Sequence, residues 1–545
     1  MQTVLGFVLA MSITMVLIPL LARWAEPLQI IDMPEARKVH SAPVPRVGGI
    51  AMVLGVLVAL LVGGVGAWPM QSLMIAIAIL LCFGVWDDRR SLAAAPKFAG
   101  QAIAALVLML GGGLSIATVT LADRMALPAW LAWPLTFLFL LGGTNAFNLA
   151  DGLDGLAGGM AMLCLCGTAL LAFTAGNGAV GAAAVIMVGA LVGFLRFNTH
   201  PARVFMGDGG SQVLGLFVAV LAIMLTQDRQ IPFSTALPLL LLGVPIIDTL
   251  MVMTERLLHG HSPFKADRGH VHHRLLALGF QHWEAVSILY LAQACFLVTA
   301  WYLRYASDLT VGLAFVLFSL LIILPIRLAQ HLGLHWRAPE SGARALPRGA
   351  AEPQRLPLRT AAGAVLAVAL GIQALSVLLF GAQPSQDVRL LALGLGALLT
   401  ASLLLRWRSA AASWLDKGAL YSCAALAIFL GKMVGHRTLC PPLLEYMLFP
   451  VLALALAVWM RTTRDRAFRL TPLDILVLVI VFTIPNLPGS IASARSLGVA
   501  VAELVLLFYG LEALCFASGR HWRWLSGAAA AFLFALVLRA GLQGS

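Results

Sequence analysis

The sequence predicts an all-α polytopic membrane protein with about 18 transmembrane helices. Three observations predict it. Hydrophobic residues make up 61% of the 545 residues and charged residues only 11%, with a mean hydropathy of +0.93, where a soluble domain has about 45–50% and about 25%. The apolar residues come in unbroken runs, not in the ~10-residue alternating segments of a β-barrel. Lys and Arg collect in alternate loops, as cytoplasmic loops do. The high hydrophobicity also excludes a disordered chain.

In chain order, the first apolar run, 2–22, lacks a basic leader and an Ala-x-Ala site, and Arg23, Arg37, Lys38 and Arg46 follow it. It reads as a retained first helix that enters from the outside, not as a signal peptide. Further spans are expected near 47–65, 70–86, 98–120, 129–144, 158–175, 178–195, 210–226, 234–253, 285–302 and 309–326. After a polar stretch come 361–381, 388–405, 418–433, 442–460, 471–487, 496–517 and 524–541. With the N-terminus periplasmic and the spans alternating, about 28 of the 36 Lys and Arg lie inside and about 8 outside. The same sorting accounts for the net charge of +12. No basic patch interleaved with aromatics points to nucleic acid. Six of the seven cysteines lie in apolar runs and have no disulfide or zinc spacing.

The polar stretch carries Arg337, Arg344, Arg348, Arg355, Arg359 and four prolines. It divides the chain into a membrane core over 1–330, a cytoplasmic linker over 331–360 and a C-terminal transmembrane unit over 361–545. No motif stands out in that last unit.

Charged side chains are costly near the hydrocarbon, so clusters at span ends are candidate sites. Four lie at ends that the alternation places inside. The first is Trp86-Asp87-Asp88-Arg89-Arg90, whose adjacent carboxylates want a cation or a proton; a solvated loop with local Asp–Arg pairs is the plain alternative. The second places Asn145, Asn148, Asp151 and Asp154 three apart, on one side of a helical turn, with no basic residue in the loop. A polar cap explains one of these residues but not the series. The third is Asn198-Thr-His200-Pro-Ala-Arg203-Val-Phe205-Met-Gly207-Asp208-Gly209-Gly210-Ser211. Asp208 there is either an ordinary helix cap or part of a phosphate-binding helix start. The fourth runs from Glu255 to His282 and includes His259, His261, Lys265, Asp267, Arg268, His270, His272, His273 and Arg274. Its Arg and Lys argue against a zinc site, and a donor array for a diphosphate fits better; a basic juxtamembrane loop is the alternative. Carboxylates and basic groups at one membrane face suit a metal–phosphate substrate, and Mg²⁺ takes one or two carboxylates plus phosphates.

Together these segments resemble the polyprenyl-phosphate N-acetylhexosamine-1-phosphate transferase superfamily, which holds WecA-type and MraY-type enzymes. The matching pieces are Pro45-Arg46-Val-Gly48-Gly49, Asp87-Asp88, Asn145-Ala-Phe-Asn148-x-x-Asp151-Gly-x-Asp154-Gly, Phe205-Met-Gly-Asp208-x-Gly-Ser211 and Ser262-Pro-Phe-x-x-Asp267-Arg268-x-His270-x-His272-His273. The last piece is similar to the branch that uses UDP-N-acetylhexosamines. The resemblance covers roughly 1–330. It implies that undecaprenyl phosphate attacks the β-phosphate of a UDP-N-acetylhexosamine, with GlcNAc-1-phosphate as the expected group, releasing UMP at a bacterial inner membrane. It implies Mg²⁺, with Mn²⁺ as a substitute, held by Asp208 with Asn148. Asp87, with Asp88 beside it, would act on the lipid phosphate. Arg46 and Lys97 would lie near phosphate, and Asn145, Asp151 and Asp154 along the nucleotide. His270, His272, His273 and Arg268 would contact phosphates. A homodimer is compatible with the resemblance. Many relatives carry Asp-Asp-x-x-Asp, whereas this chain has Ser91 at the last position, so no third metal carboxylate is expected there. Direct in-line attack and an aspartyl intermediate both stay open. A lipid or sugar transporter or flippase is the alternative class; it would place charges mid-span, and here most sit at span ends.

Overall fold

The computed structural model describes residues 2–33, 43–63, 69–260, 269–337, 356–404, 410–432, 440–462, 476, 503–504, 506–515 and 523–541. Eleven helices among them are long and apolar enough to cross a membrane, so the chain is a multi-pass all-α membrane protein. It divides into two compact units, Met1–Glu340 with Thr471–Ile491, and Ser341–Leu470 with Ala492–Ser545.

In the first unit, α1 (Gln2–Trp24) is followed by a two-residue pair of antiparallel strands, β1 (Ile31–Asp32) and β2 (Val44–Pro45), and by α2 (Gly48–Val62). Next come α3 (Met70–Arg90) and α4 (Ala94–Leu106), which continues as a π-helical turn, Val107–Gly111. The span expected over 98–120 stops there, because Gly111, Gly112 and Gly113 end it and Gly113 takes φ +63°. The hairpin β3 (Thr118–Thr120) and β4 (Arg124–Ala126) follows. The Arg124 guanidinium donates to the carbonyls of Asp228 and Ile231, which ties the hairpin to the segment 228–231.

The remaining helices of this unit are α5 (Ala129–Ala150), α6 (Leu156–Thr174), α7 (Gly178–Asn198), α8 (Gly207–Thr226), α9 (Leu237–Leu241), α10 (Gly243–Leu258), α11 (Val271–Ala277), α12 (His282–Tyr302) and α13 (Asp308–His331). The span expected over 234–253 is broken between α9 and α10 at Leu242. The break frees backbone groups that lipid cannot satisfy. Buried Gln293 of α12 satisfies them, accepting from Val244 N–H at 3.0 Å and donating to Leu241 C=O at 2.9 Å.

α8 is the central helix: every residue from Gly209 to Thr226 except Met224 is buried. It packs on α3 and α5 and also touches α2 and α6. Close approach needs small residues. A Cβ at Gly84 of α3 would lie 2.0 Å from Gly209 Cα, and one at Gly49 of α2 would lie 2.3 Å from Gly210 Cα. The start of α8 therefore sits backbone to backbone against α2 and α3. By contrast α13 exposes Leu309, Leu313, Leu317, Leu320, Leu321 and Leu324, as a lipid-facing helix does.

The second unit contains α14 (Leu356–Phe380), α15 (Gln386–Leu404), α16 (Ala410–Lys432), α17 (Cys440–Thr462) and a last helix, Arg523–Gly541. α14 packs on α17, and α15 packs on the last helix. Arg539 donates to the Val377 and Gly381 carbonyls at 3.0 and 2.8 Å, closing the C-terminal end of α14. Lys417 pairs with Glu512 at 3.0 Å, and the Tyr421 hydroxyl also donates to Glu512.

Candidate active site

The ends of α3 and α5 and the starts of α2, α4, α8 and α11, with Asp248 within α10, carry the polar residues of the site. The segment 45–49 is built first, because backbone hydrogen bonds knit it to the start of α8. Phe205 N–H donates to Pro45 C=O at 2.8 Å, Gly48 N–H to Phe205 C=O at 3.0 Å and Gly49 N–H to Met206 C=O at 2.9 Å. Two separate sequence motifs are thus one structural piece. Arg46 projects from it, ion-paired to buried Asp32 of β1 and 3.6 Å from Asp88 Oδ1. Burial alone would lower the Arg46 pKa, but the charges of Asp32 and Asp88 outweigh it and the value is raised.

The N-terminus of a helix leaves N–H groups without partners and carries partial positive charge. Asp88 answers both: its carboxylate accepts from Asp208 N–H at 3.0 Å and Gly209 N–H at 3.4 Å. Gly207, at φ +75°, makes the turn into α8. Asp87 is pinned at the end of α3, where its Oδ1 accepts from Leu92 N–H at 2.7 Å. Lys97 of α4 bridges two carboxylates, with Nζ 2.5 Å from Asp87 Oδ2 and 3.3 Å from Asp208 Oδ2. Arg46, Asp87, Asp88, Lys97 and Asp208 therefore form one connected cluster.

The Asn/Asp series splits between two environments. Asn145 lies in an amide chain, donating to Gln101 Oε1 at 2.9 Å while Gln101 donates to Asn145 and Gln212 at 3.2 and 3.1 Å. Asn148 accepts from the Ser211 hydroxyl at 2.7 Å, which places its amide oxygen beside the first turn of α8. Asp151 and Asp154 stand in the turn between α5 and α6. That turn is held by Gly155, whose N–H donates to Asn198 at 2.9 Å and whose C=O accepts from Tyr290 at 2.7 Å. Burial pushes the Asp151 carboxyl up to about 7, helped by the charges of Asp208, Asp88 and Asp154. Asp154 is committed elsewhere: it pairs with His200 Nδ1 at 2.7 Å and accepts from Ala202 N–H at 3.0 Å. Burial alone would raise its pKa, but the His200 and Ala202 hydrogen bonds hold it below the usual carboxylate value.

The histidines start α11. His270 is buried and meets Asp248 of α10 at 2.9 Å, and the other Asp248 oxygen accepts from Val271 N–H at 2.7 Å. His272 is buried against the 151–155 turn, where a Cβ on Gly152 would lie 2.3 Å from His272 Nε2. Burial pushes its pKa down to about 3, with help from the neighbouring His273. His272 is therefore neutral at physiological pH, unlike a charged phosphate ligand. The His273 ring lies 4.2 Å from that of His272. Arg268 lies outside the described residues.

Sequence reasoning did not single out Asp32, Gln101, Gln212 and Asp248 as site residues. Asp248 carried a usable signal, a carboxylate inside an apolar run. The two glutamines carried none, since their partners are more than 40 residues away.

A multi-pass helical membrane protein with a lysine-bridged carboxylate site at its helix ends is the class that fold and site define. Residues 70–226, which hold most of that cluster, match the model of glycosyl transferase family 4. The chain is 34% identical over 337 residues to the probable undecaprenyl-phosphate N-acetylglucosaminyl 1-phosphate transferase of Bacillus subtilis (strain 168), covering 61% of this chain and 93% of that protein. It is 36% identical over 299 residues to the decaprenyl-phosphate N-acetylglucosaminephosphotransferase of Mycobacterium tuberculosis (strain ATCC 25618 / H37Rv), covering 49% and 74%. With the undecaprenyl-phosphate alpha-N-acetylglucosaminyl 1-phosphate transferase of Escherichia coli (strain K12) it shares 30% over 279 residues, covering 50% and 75%. The chain belongs to glycosyl transferase family 4.

Proposed function

We propose that this protein transfers N-acetylglucosamine-1-phosphate from UDP-N-acetylglucosamine to undecaprenyl phosphate in a bacterial inner membrane. An oxygen of the lipid phosphate attacks the β-phosphorus, the bond from that phosphorus to the bridging oxygen breaks, and UMP leaves with that oxygen. The observation that carries the reading is the Lys97 bridge between Asp87 and Asp208 at the start of α8, in a chain whose relatives are named for this transfer.

The difficulty of the reaction is that one anion must approach another. Arg46 and Lys97 supply positive charge where the phosphates meet, and a preorganised charge needs no reorganisation during reaction. Asp88 acts as a positioning residue, because both its oxygens are engaged with the backbone of α8. Asp87, tied to Lys97, faces the lipid phosphate. Asp151 and the α11 histidines line the nucleotide side, with Asp248 setting the orientation of the His270 ring. The available donors around Asp208 are oxygens, from carboxylates and from Asn148, and such a set fits Mg²⁺. Asp208 and Asn148 would hold the ion, which when bound offsets diphosphate charge.

In the same reading the chain crosses the membrane about 18 times, with the site end cytoplasmic. The C-terminal unit is an addition that the chemistry does not use. The test is a donor screen with purified full-length protein, undecaprenyl phosphate and Mg²⁺. UMP should appear with UDP-N-acetylglucosamine and only when lipid phosphate is present. Release that ignores the lipid, or none from any UDP-N-acetylhexosamine, overturns the reading.

A further inference from the structure

A second cluster lies where three segments of the first unit converge: the turn between α5 and α6, the segment between α7 and α8, and the first residue of α12. Asp154 comes from the first, His200 from the second and His282 from the third. One ligand atom from each of the three lies within 4.8 Å of the others. The rings of His200 and His282 stack with centroids 4.2 Å apart and planes 21° from parallel. Asp154 already engages His200 at 2.7 Å. His282 is the residue that this pairing leaves unexplained. Both its ring nitrogens are shielded from solvent, and neither has a hydrogen-bond partner among the described residues. Buried polar atoms of native proteins almost always have a partner, and an unsatisfied one points to a missing water or ion.

We propose that Asp154, His200 and His282 bind a divalent transition-metal ion of the Zn²⁺ class. Two imidazoles and one carboxylate are a donor set that suits zinc and not Mg²⁺. Three protein ligands leave a fourth position for water, and the His200 side chain is 42% exposed, so the ion has a way in. Binding gives one of the two idle His282 nitrogens a partner and replaces the His200–Asp154 hydrogen bond with two metal bonds. Where His200 or His282 is protonated on both ring nitrogens, one proton is released to solvent, because only the neutral ring ligates. The three ligands come from segments far apart in the chain, and one of those segments leads into Asp208. The ion would therefore brace the site face. This inference does not rest on the proposed transfer reaction, because binding is read without substrate.

The experiment uses full-length protein in detergent, stripped with EDTA and desalted. Co²⁺ serves as the spectroscopic probe, and Zn²⁺ as competitor and in thermal unfolding. One equivalent of Co²⁺ should give visible d–d bands that Zn²⁺ displaces, and Zn²⁺ should raise the unfolding temperature. His200→Ala and His282→Ala should each bind at least about 100-fold more weakly, since even residues behind the ligands cost roughly 10–100-fold. Asp208→Asn should bind as the unaltered chain does. If His282→Ala does not elute as a monodisperse species, the partly exposed His200 carries the test. Absence of a stoichiometric Co²⁺ spectrum, or one that persists when both histidines are replaced, overturns the proposal.

Discussion

Gly84→Ala tests whether the approach of α3 to α8 sets the geometry of the site. The added Cβ would lie 2.0 Å from Gly209 Cα and 2.5 Å from Gly209 N. Both are backbone atoms, so no flexible side chain can move aside. The helices must part by more than about 1 Å to reach van der Waals distance. Gly84 sits one turn before Asp87 and Asp88, and Asp88 reaches the backbone of Asp208 and Gly209 at 3.0 and 3.4 Å. Parting the helices breaks those bonds and separates Asp87 from Asp208 across Lys97. Overpacking of this kind costs about 1–3 kcal/mol of stability. A misplacement of about 1 Å costs on the order of 100-fold in rate, or roughly 2.7 kcal/mol of transition-state stabilisation. The control is Gly142→Ala, at a position with no neighbour within 4 Å; it should leave the rate unchanged. The assay is UMP release per folded molecule, with the folded amount taken from the monodisperse peak. A folded Gly84→Ala protein with an unaltered rate would refute the reasoning, because the site would then tolerate a displaced α3.

Three further outcomes are expected. Asp208→Asn should nearly abolish UMP release while the protein stays folded, and EDTA should stop the unaltered enzyme until Mg²⁺ or Mn²⁺ is restored; full activity of the variant at saturating Mg²⁺ would remove Asp208 from the ion. His272 has a folded pKa of about 3 against about 6.5 unfolded, so its contribution to stability is present above about pH 6.5 and is lost as the pH falls toward 3. Thermal unfolding of the unaltered chain should therefore lose up to about 1.4 kcal/mol per pH unit in that window from this residue, and His272→Phe should show a shallower slope; identical slopes would refute it. Membranes carrying residues 1–342 should release UMP at a rate comparable to the full chain, and a well-folded but inactive truncation would show that the C-terminal unit shapes the site.

Much of this protein is local information. The apolar runs and the sorting of Lys and Arg depend only on neighbours in sequence, so the membrane class could be read directly. The carboxylate pair, the Asn/Asp series and the histidine run were legible for the same reason, since each is a contiguous segment. What lay between them was not. Lys97 and Asp208 are 111 residues apart, and Asp88 and Asp208 are 120 apart. No periodicity links such positions, and only the packing of α3, α4 and α8 brings them together. The roles of near-identical residues were decided in the same way. Asp87 and Asp88 are adjacent in sequence, yet on α3 one meets Lys97 and a turn while the other caps α8. His270 and His272 sit two apart, and one is oriented by Asp248 while the other is buried against Gly152. The break between α9 and α10 also depends on a distant residue, Gln293. The sequence determined which groups are present and which apolar segments they follow, because burial of apolar surface is set segment by segment. The tertiary structure decided which carboxylate meets which cation, because charge pairing at 3 Å depends on where separate helices end.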